Sequence, residues 1–306
     1  MSILNKTLDH TQLATLDLLL NGAFAPLVGY LNQADHTQVL QEGRLANGYL
    51  WPLPLALPLT PAEKRAAQIA GRIALLDHEQ RVIAEVKVEQ VYRLPADIAA
   101  LTNATADTWY VAGKVEARNK VLHPAFNRIR HTVPTLRSSL DGQGWKSVVA
   151  VHAAPTLNIA DMQQACDWLK QTAASDTWGN GGMLVQISAD EHNSDFHSQI
   201  RSLRANIRCN AAKQIKLSLL PAISNLSAER TLLLQALIAR NYGATGFVVG
   251  IDVERAALRY LLQCRDEIGL DIIPVRHATV EKVNKALYKD GLLPVQQLEA
   301  AFQLAA

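Results

Sequence analysis

Cysteine is scarce in this sequence, and what there is does not pair. Cys166, Cys209 and Cys264 are odd in number, far apart and without C-x-x-C spacing. A disulfide framework and a zinc site of recognised spacing are therefore not expected, and a reducing cytoplasm is the expected compartment. An excess of one charge sign is also missing. Lys+Arg number 30 against 28 Asp+Glu, a formal net charge of +2, and no dense basic run occurs. Nucleic acid is not expected as a partner. Long apolar runs are absent as well. The richest, YLWPLPLALPL, is short and broken by prolines, so no membrane span is expected. The opening stretch MSILNKTLDHTQLATLDLLL carries charges throughout and has no small-residue cleavage site, unlike a signal peptide. Against these absences, 49% of the 306 residues are apolar and 19% charged, enough for a substantial core and two domains of ordinary size.

The two parts differ in rhythm. Residues 1–143 read as a β-rich unit. Helical pieces come early, at Asp9 to Leu20 and Ala34 to Gln41, the second ending at Glu42-Gly43. Strands follow: WPLPLAL, GRIALLD, RVIAEVKVEQVYRL and TWYVAGKVEA. The HEQ break between the second and third is a hairpin signal, and alternation places Val82, Ala84, Val86 and Val88 on one face. Residues 144–306 alternate strand and helix: SVVAVHA, IADMQQACDWLKQTAA, GGMLVQIS, SDFHSQIRSLRANIRCNAA, IKLSLLP, SAERTLLLQALIARNYG, ATGFVVGID, ERAALRYLLQCRDEIG and DIIPV. Repeated βα units predict an α/β, doubly wound parallel sheet with helices on both faces. Ligands of such sheets sit at the carboxyl ends of the strands. Those ends are His152 to Pro155, Ser188 to Glu191, Pro221 to Asn225 and Gly250 to Glu254.

The first of these loops, in VVAVHAAPTLNIAD, is poorly furnished for chemistry. It offers Ala153, Ala154 and Pro155, with no Arg, Lys or glycine cradle. His152 suits an anion contact or a base, or else a strand-end bond to a carbonyl. Asn158 and Asp161, three residues apart, suit one helix face, where Asp161 either holds a cation or caps the helix. Arg230 opens a long helix, where a phosphate meets both backbone N–H groups and a guanidinium; a surface ion pair with Glu229 is the plainer reading. Asp252 follows a buried strand and suits either a nucleotide contact or a helix cap. Asp190, Glu191, His192, Asp195 and His197 have metal-ligand chemistry but no recognised spacing, and a solvated loop is the commoner meaning of such a cluster. The stripe Leu232, Gln235, Ala236 and Ala239 reads as ordinary helix burial.

Larger patterns resemble a known family. NGAFAPLVGYL with RLANGYLWPLPLAL resembles the N-terminal PUA-like domain of ATP sulfurylase (sulfate adenylyltransferase). RIALLDHEQRVIAEVKVEQVYR and RHTVPTLRSSLDGQGWKSVVAV continue the resemblance, as do IKLSLLP, ERTLLLQALIARNYGATGFVVGID and KALYKDGLLP. It implies a PUA-like first domain and a nucleotidyltransferase-like (Rossmann-like) second domain. It also implies ATP with Mg as ligands, and oligomers or a protein partner.

The family's working motifs are changed here. Its Q-x-R-N loop and following H-x-x-H hold sulfate and phosphate oxygens. They fall on His152, Ala154 and Pro155, then on Asn158 and Asp161. Its M-R-x-x-G-P-R-E falls on Ser224 to Thr231, with Asn225 at the first arginine and Arg230 at the second. Its G-R-D-H-A-G keeps Gly250 and Asp252, while Ile251 replaces the arginine. The segment before the closing stretch is cut to roughly 30 residues, a loop-and-helix length. Joining sulfate to the α-phosphate of ATP rests on positioning and charge stabilisation. Each donor removed from such a site costs about 3–4 kcal/mol. Asp161 adds a repulsion of roughly 3–4 kcal/mol to an anion about 4–5 Å away at an effective dielectric near 20. The sequence thus predicts a non-catalytic paralogue with a binding or regulatory role. The alternatives are a nucleotidyltransferase with a changed acceptor and a weak ATP sulfurylase using His152 and Arg230.

Overall fold

A computed structural model describes residues 3–102, 107–153, 181–191, 193–210, 215–223, 226–250 and 253–275. Strand β1 (Leu4–Thr7) leads into helix α1 (His10–Leu20). A reciprocal cap fixes that helix start. The Asp9 carboxylate accepts from the Gln12 N–H at 2.7 Å, and the Gln12 side chain accepts from the Asp9 N–H at 3.2 Å. After β2 (Gly29–Tyr30), α2 (Gln33–Glu42) ends on Gly43 at φ 69°, the left-handed stop its sequence predicts.

The first domain is more helical than its strand pattern predicts. Helix α3 (Pro61–Ala70) has its own reciprocal cap between Thr60 and Glu63, and α4 (Ala96–Ala99) and α5 (Val133–Gly142) follow later. Two expected strands are also corrected. WPLPLAL forms no ladder over residues 51–56, because Pro52 and Pro54 have no N–H to give; the strand is β3 (Leu57–Leu59). RVIAEVKVEQVYRL splits into β5 (Val82–Lys87) and β6 (Gln90–Arg93). Both pair with β7 (Trp109–Ala117), and the changeover sits on Gly113, where a β-carbon would come 1.9 Å from the Lys87 carbonyl oxygen. The GRIALLD strand is β4 (Arg72–Leu76), paired antiparallel with β5 as the hairpin signal predicts. The sheet runs β1-β4-β5-β7-β2, with β3 and β6 also on β7.

The second sheet is wholly parallel. Its strands are β8 (Ser147–Ala153), β9 (Gly181–Ala189), β10 (Ile215–Pro221), β11 (Gly246–Gly250) and β12 (Asp271–Val275). Their order, β10-β9-β8-β11-β12, reverses at β8 and makes the sheet doubly wound. Helix α6 (Phe196–Asn210) covers one face, where Phe196 and Ile200 pack on Val149, Val185 and Leu219. Helices α7 (Ala228–Asn241) and α8 (Arg255–Gln263) cover the other. The expected last helix breaks at Cys264 into α8 and a short α9 (Arg265–Ile268).

Leu232, Leu233 and Leu237 of α7 share one continuous core with Leu16, Phe24 and Trp51 of the first domain. That shared core seats the two domains together.

Candidate functional site

The strand order places the candidate site. Where a doubly wound sheet reverses, neighbouring connections leave on opposite faces and open a crevice at the carboxyl ends. Here the reversal lies between β8 and β11. Val151 pairs with Val248, so His152, next to last in β8, is level with Val249, one residue before the end of β11. Two stretches flagged separately in the sequence thus end side by side. Ala154, Pro155, Asn158, Asp161, Asn225 and Asp252 lie outside the described residues.

His152 is half-buried, and its Nδ1 has no hydrogen-bond partner among the described residues. Burial pushes its pKa down to about 4, so the imidazole is neutral near pH 7. It offers one donor and one acceptor there, and no charge to an anion. Across the sheet, His152 pairs in register with Gln186, and Gln186 with Ser218. Cross-strand partners point to one face, so these three form a polar row. Gln186 and Ser218 are 0% exposed, and the Gln186 Oε1 and Nε2 and the Ser218 Oγ have no partner among the described residues. The sequence reading missed both. Their signal is a polar residue with apolar neighbours on both sides inside the strands GGMLVQIS and IKLSLLP.

Arg230 lies in the first turn of α7, and its backbone N–H donates to the N-cap Ser227 Oγ at 3.4 Å. Its guanidinium turns away to the first domain. Nη2 donates to the Leu40 carbonyl at 2.8 Å and Nη1 to the Pro52 carbonyl at 3.5 Å. Leu40 is in the last turn of α2, whose carbonyls have no partner within the helix. Arg230 therefore caps a helix of the neighbouring domain.

The described residues of the acidic loop after β9 turn to separate partners. Glu191 turns to His123 and Arg130, while His197 packs on Phe126 and Phe196. His192 lies outside the described residues. Among the described residues no group of three or more His, Cys, Asp or Glu is placed to hold a metal ion. No helix among them is long and apolar enough to cross a membrane.

The sequence also missed a buried charge cluster. His123 Nδ1 lies 2.6 Å from Glu191 Oε1, and its Nε2 lies 3.1 Å from Asp17 Oδ2. Arg130 Nη2 is 2.6 Å from the same Glu191 oxygen. These residues come from α1, the 118–132 link and the end of β9, so no local motif announces them.

Comparison with known proteins fits this architecture. The ATP-sulfurylase family model matches residues 127–297, and a PUA-like domain model matches residues 2–102. The chain belongs to the ATP-sulfurylase family. A sulfate adenylyltransferase of Chaetomium globosum is 28% identical, over 89% of this chain and 52% of its own length. That of Saccharomyces cerevisiae is 30% identical, over 82% and 51%. Among solved structures, a hexameric APS kinase from Thiobacillus denitrificans superposes with a TM-score of 0.71 at 25% identity, over 90% of this chain and 51% of that one. The chain thus spans about half the length of the curated relatives it matches. This chain has His152 near the end of β8 and Arg230 bonded to carbonyls of the first domain.

Proposed function

We propose that this ATP-sulfurylase family member no longer forms adenosine 5′-phosphosulfate and acts as a non-catalytic paralogue with a binding or regulatory role. Support comes chiefly from Arg230. It is the surviving arginine of the second motif, and its guanidinium donates to the Leu40 and Pro52 carbonyls. Attack of sulfate on the α-phosphate, with pyrophosphate leaving, needs fixed donors on the crowded oxygens. Each donor lost costs about 3–4 kcal/mol, two to three decades in rate. Neutral His152, Ala154, Pro155 and Asn225 supply no cation at the positions where the resemblance expects anion contacts. The reversal of strand order between β8 and β11 is where a doubly wound sheet takes its ligand, and a nucleotide is the proposed one. A cation such as Mg would arrive on the nucleotide's phosphates. A protein partner or a second copy of the chain is the proposed binding target, in a soluble, cytoplasmic setting.

The test is a sulfurylase assay run beside thermal-shift titrations with ATP plus Mg²⁺ and with adenosine 5′-phosphosulfate. Saturation at about a hundred times Kd stabilises by roughly 2.7 kcal/mol. A shift without turnover is the expected result. Turnover well above background that is lost in Arg230→Ala overturns the proposal in favour of a weak sulfurylase. A shift with a nucleoside triphosphate, together with transfer to another acceptor, favours a nucleotidyltransferase of changed specificity.

A further inference from the structure

The cluster around His123 has a geometry that fixes its protonation state. A neutral imidazole carries one N–H and one lone pair. Here both ring nitrogens face carboxylate oxygens, Glu191 at 2.6 Å and Asp17 at 3.1 Å. A lone pair held against either carboxylate is repulsive, so the arrangement requires an imidazolium with two donors. The site is well shielded, with side-chain exposures of 14% for His123, 19% for Asp17, 18% for Glu191 and 9% for Arg130. Protonated His123 sets a positive charge between Asp17 and Glu191, which neutral His123 would withdraw from a poorly solvated place.

We propose that His123 is a proton-operated latch that ties α1 of the first domain to the carboxyl end of β9. The charged groups facing it are Asp17 from α1, Glu191 from the turn after β9, and Arg130 from the link; the buried Tyr242 hydroxyl of α7 lies within Asp17's field. Burial pulls the His123 pKa down, Asp17 and Glu191 pull it up, Arg130 opposes them, and the carboxylates win, so the net direction is upward. The sign follows. The latch is fully engaged below the pKa of an unfolded histidine, about 6.5. It is released as pH rises through the higher folded value.

Other ties between the domains keep their state across that range. Arg44 holds Glu267 at two points, 2.5 and 2.8 Å, while Arg240 donates to Tyr49 and Asn241 to the Ala23 and Ala25 carbonyls. Release of His123 therefore loosens one edge of the seat and leaves the other closed. The latch does not depend on what the crevice between β8 and β11 binds.

The test uses the full chain labelled at histidine, with the His123 ring followed by NMR against pH. The amides of α1 and of residues 190–191 are followed by hydrogen exchange, corrected for intrinsic rate. His123 is expected to titrate above about 6.5, Asp17→Asn to move that titration downward, and α1 to lose protection selectively as His123 deprotonates. His123→Gln is expected to abolish the pH dependence of α1 protection. Titration of His123 at or below the ordinary value overturns the latch. So does loss of protection spread evenly over the chain, or an unchanged pH dependence in His123→Gln. Should His123→Gln fail to fold, the Asp17→Asn titration decides alone.

Discussion

The ring of Trp145 lies against the bare α-carbon of Gly182. A β-carbon there would come within 2.2 Å of the indole Cδ2 and Cε3 atoms. Trp145 stands just before β8 and Gly182 is the second residue of β9, so the contact sets how these two strands begin side by side. Gly182→Ala is expected to destabilise the chain by about 1–3 kcal/mol, the usual cost of overpacking. A lowered denaturant midpoint with an unchanged slope would register it. An unchanged midpoint would mean that the indole swings aside freely.

Arg230→Met keeps the apolar stem and removes the donors to Leu40 and Pro52. The expected loss is about 1–3 kcal/mol, since two carbonyls lose their donor and the carboxyl end of α2 loses a cation. Nucleotide-dependent stabilisation, where present, is expected to be unchanged. If the variant keeps its melting temperature but loses a nucleotide shift, Arg230 serves the ligand rather than the domain seat.

Acid is expected to weaken the first domain through His36. This side chain is 2% exposed, and its Nδ1 lies 3.0 Å from the Tyr92 hydroxyl. That hydroxyl gives its own proton to the Leu31 carbonyl at 2.9 Å, so Nδ1–H is the donor to Tyr92. Burial pushes the His36 pKa down from 6.5 to about 4. The unfolded chain therefore takes the proton first, and stability falls as pH drops from 6.5 towards 4, by at most about 3 kcal/mol. His36→Gln should flatten this acid limb of a stability-versus-pH curve. An acid limb of the same depth in the variant would assign it to His152, whose pKa burial also lowers, or to carboxylates instead.

Ser218→Ala is expected to be neutral or stabilising by up to about 1 kcal/mol, because its hydroxyl is buried without a partner among the described residues. Chemical denaturation measures the change. A loss above about 1 kcal/mol would show that Oγ has an acceptor or a bound water in solution.

Much of the second domain is legible in the sequence because its strands are largely apolar runs and two of its helices carry a start or a stop. Ser227 caps α7 and Gly269 ends α9 at φ 71°, and both are local signals. The first domain is harder to read. Its strands change partners along β7, and the reason is the approach of Gly113 to Lys87, which no periodicity reveals. That β8 and β11 end side by side follows from strand order, a rule of topology applied to local patterns. By contrast, the Asp17–His123–Glu191 chain joins positions 106 and 68 residues apart. Arg230 reached Leu40 across 190. Such pairings are decided by the shared core, so residue type and spacing alone do not foretell them.

The seat between the domains also carries an order in time. The carbonyls of Ala23, Ala25, Leu40 and Pro52 belong to the early part of the chain, while their donors Arg230 and Asn241 belong to α7. During synthesis the first domain therefore leaves the ribosome with those acceptors facing water, and a long stretch of translation passes before their partners emerge. In that interval the apolar surface of the first domain that shares its core with α7 is open to the cell. The nascent chain is most exposed to chaperones and proteases there, and weakening the seat would lower the yield of mature protein before it changed anything the mature protein does.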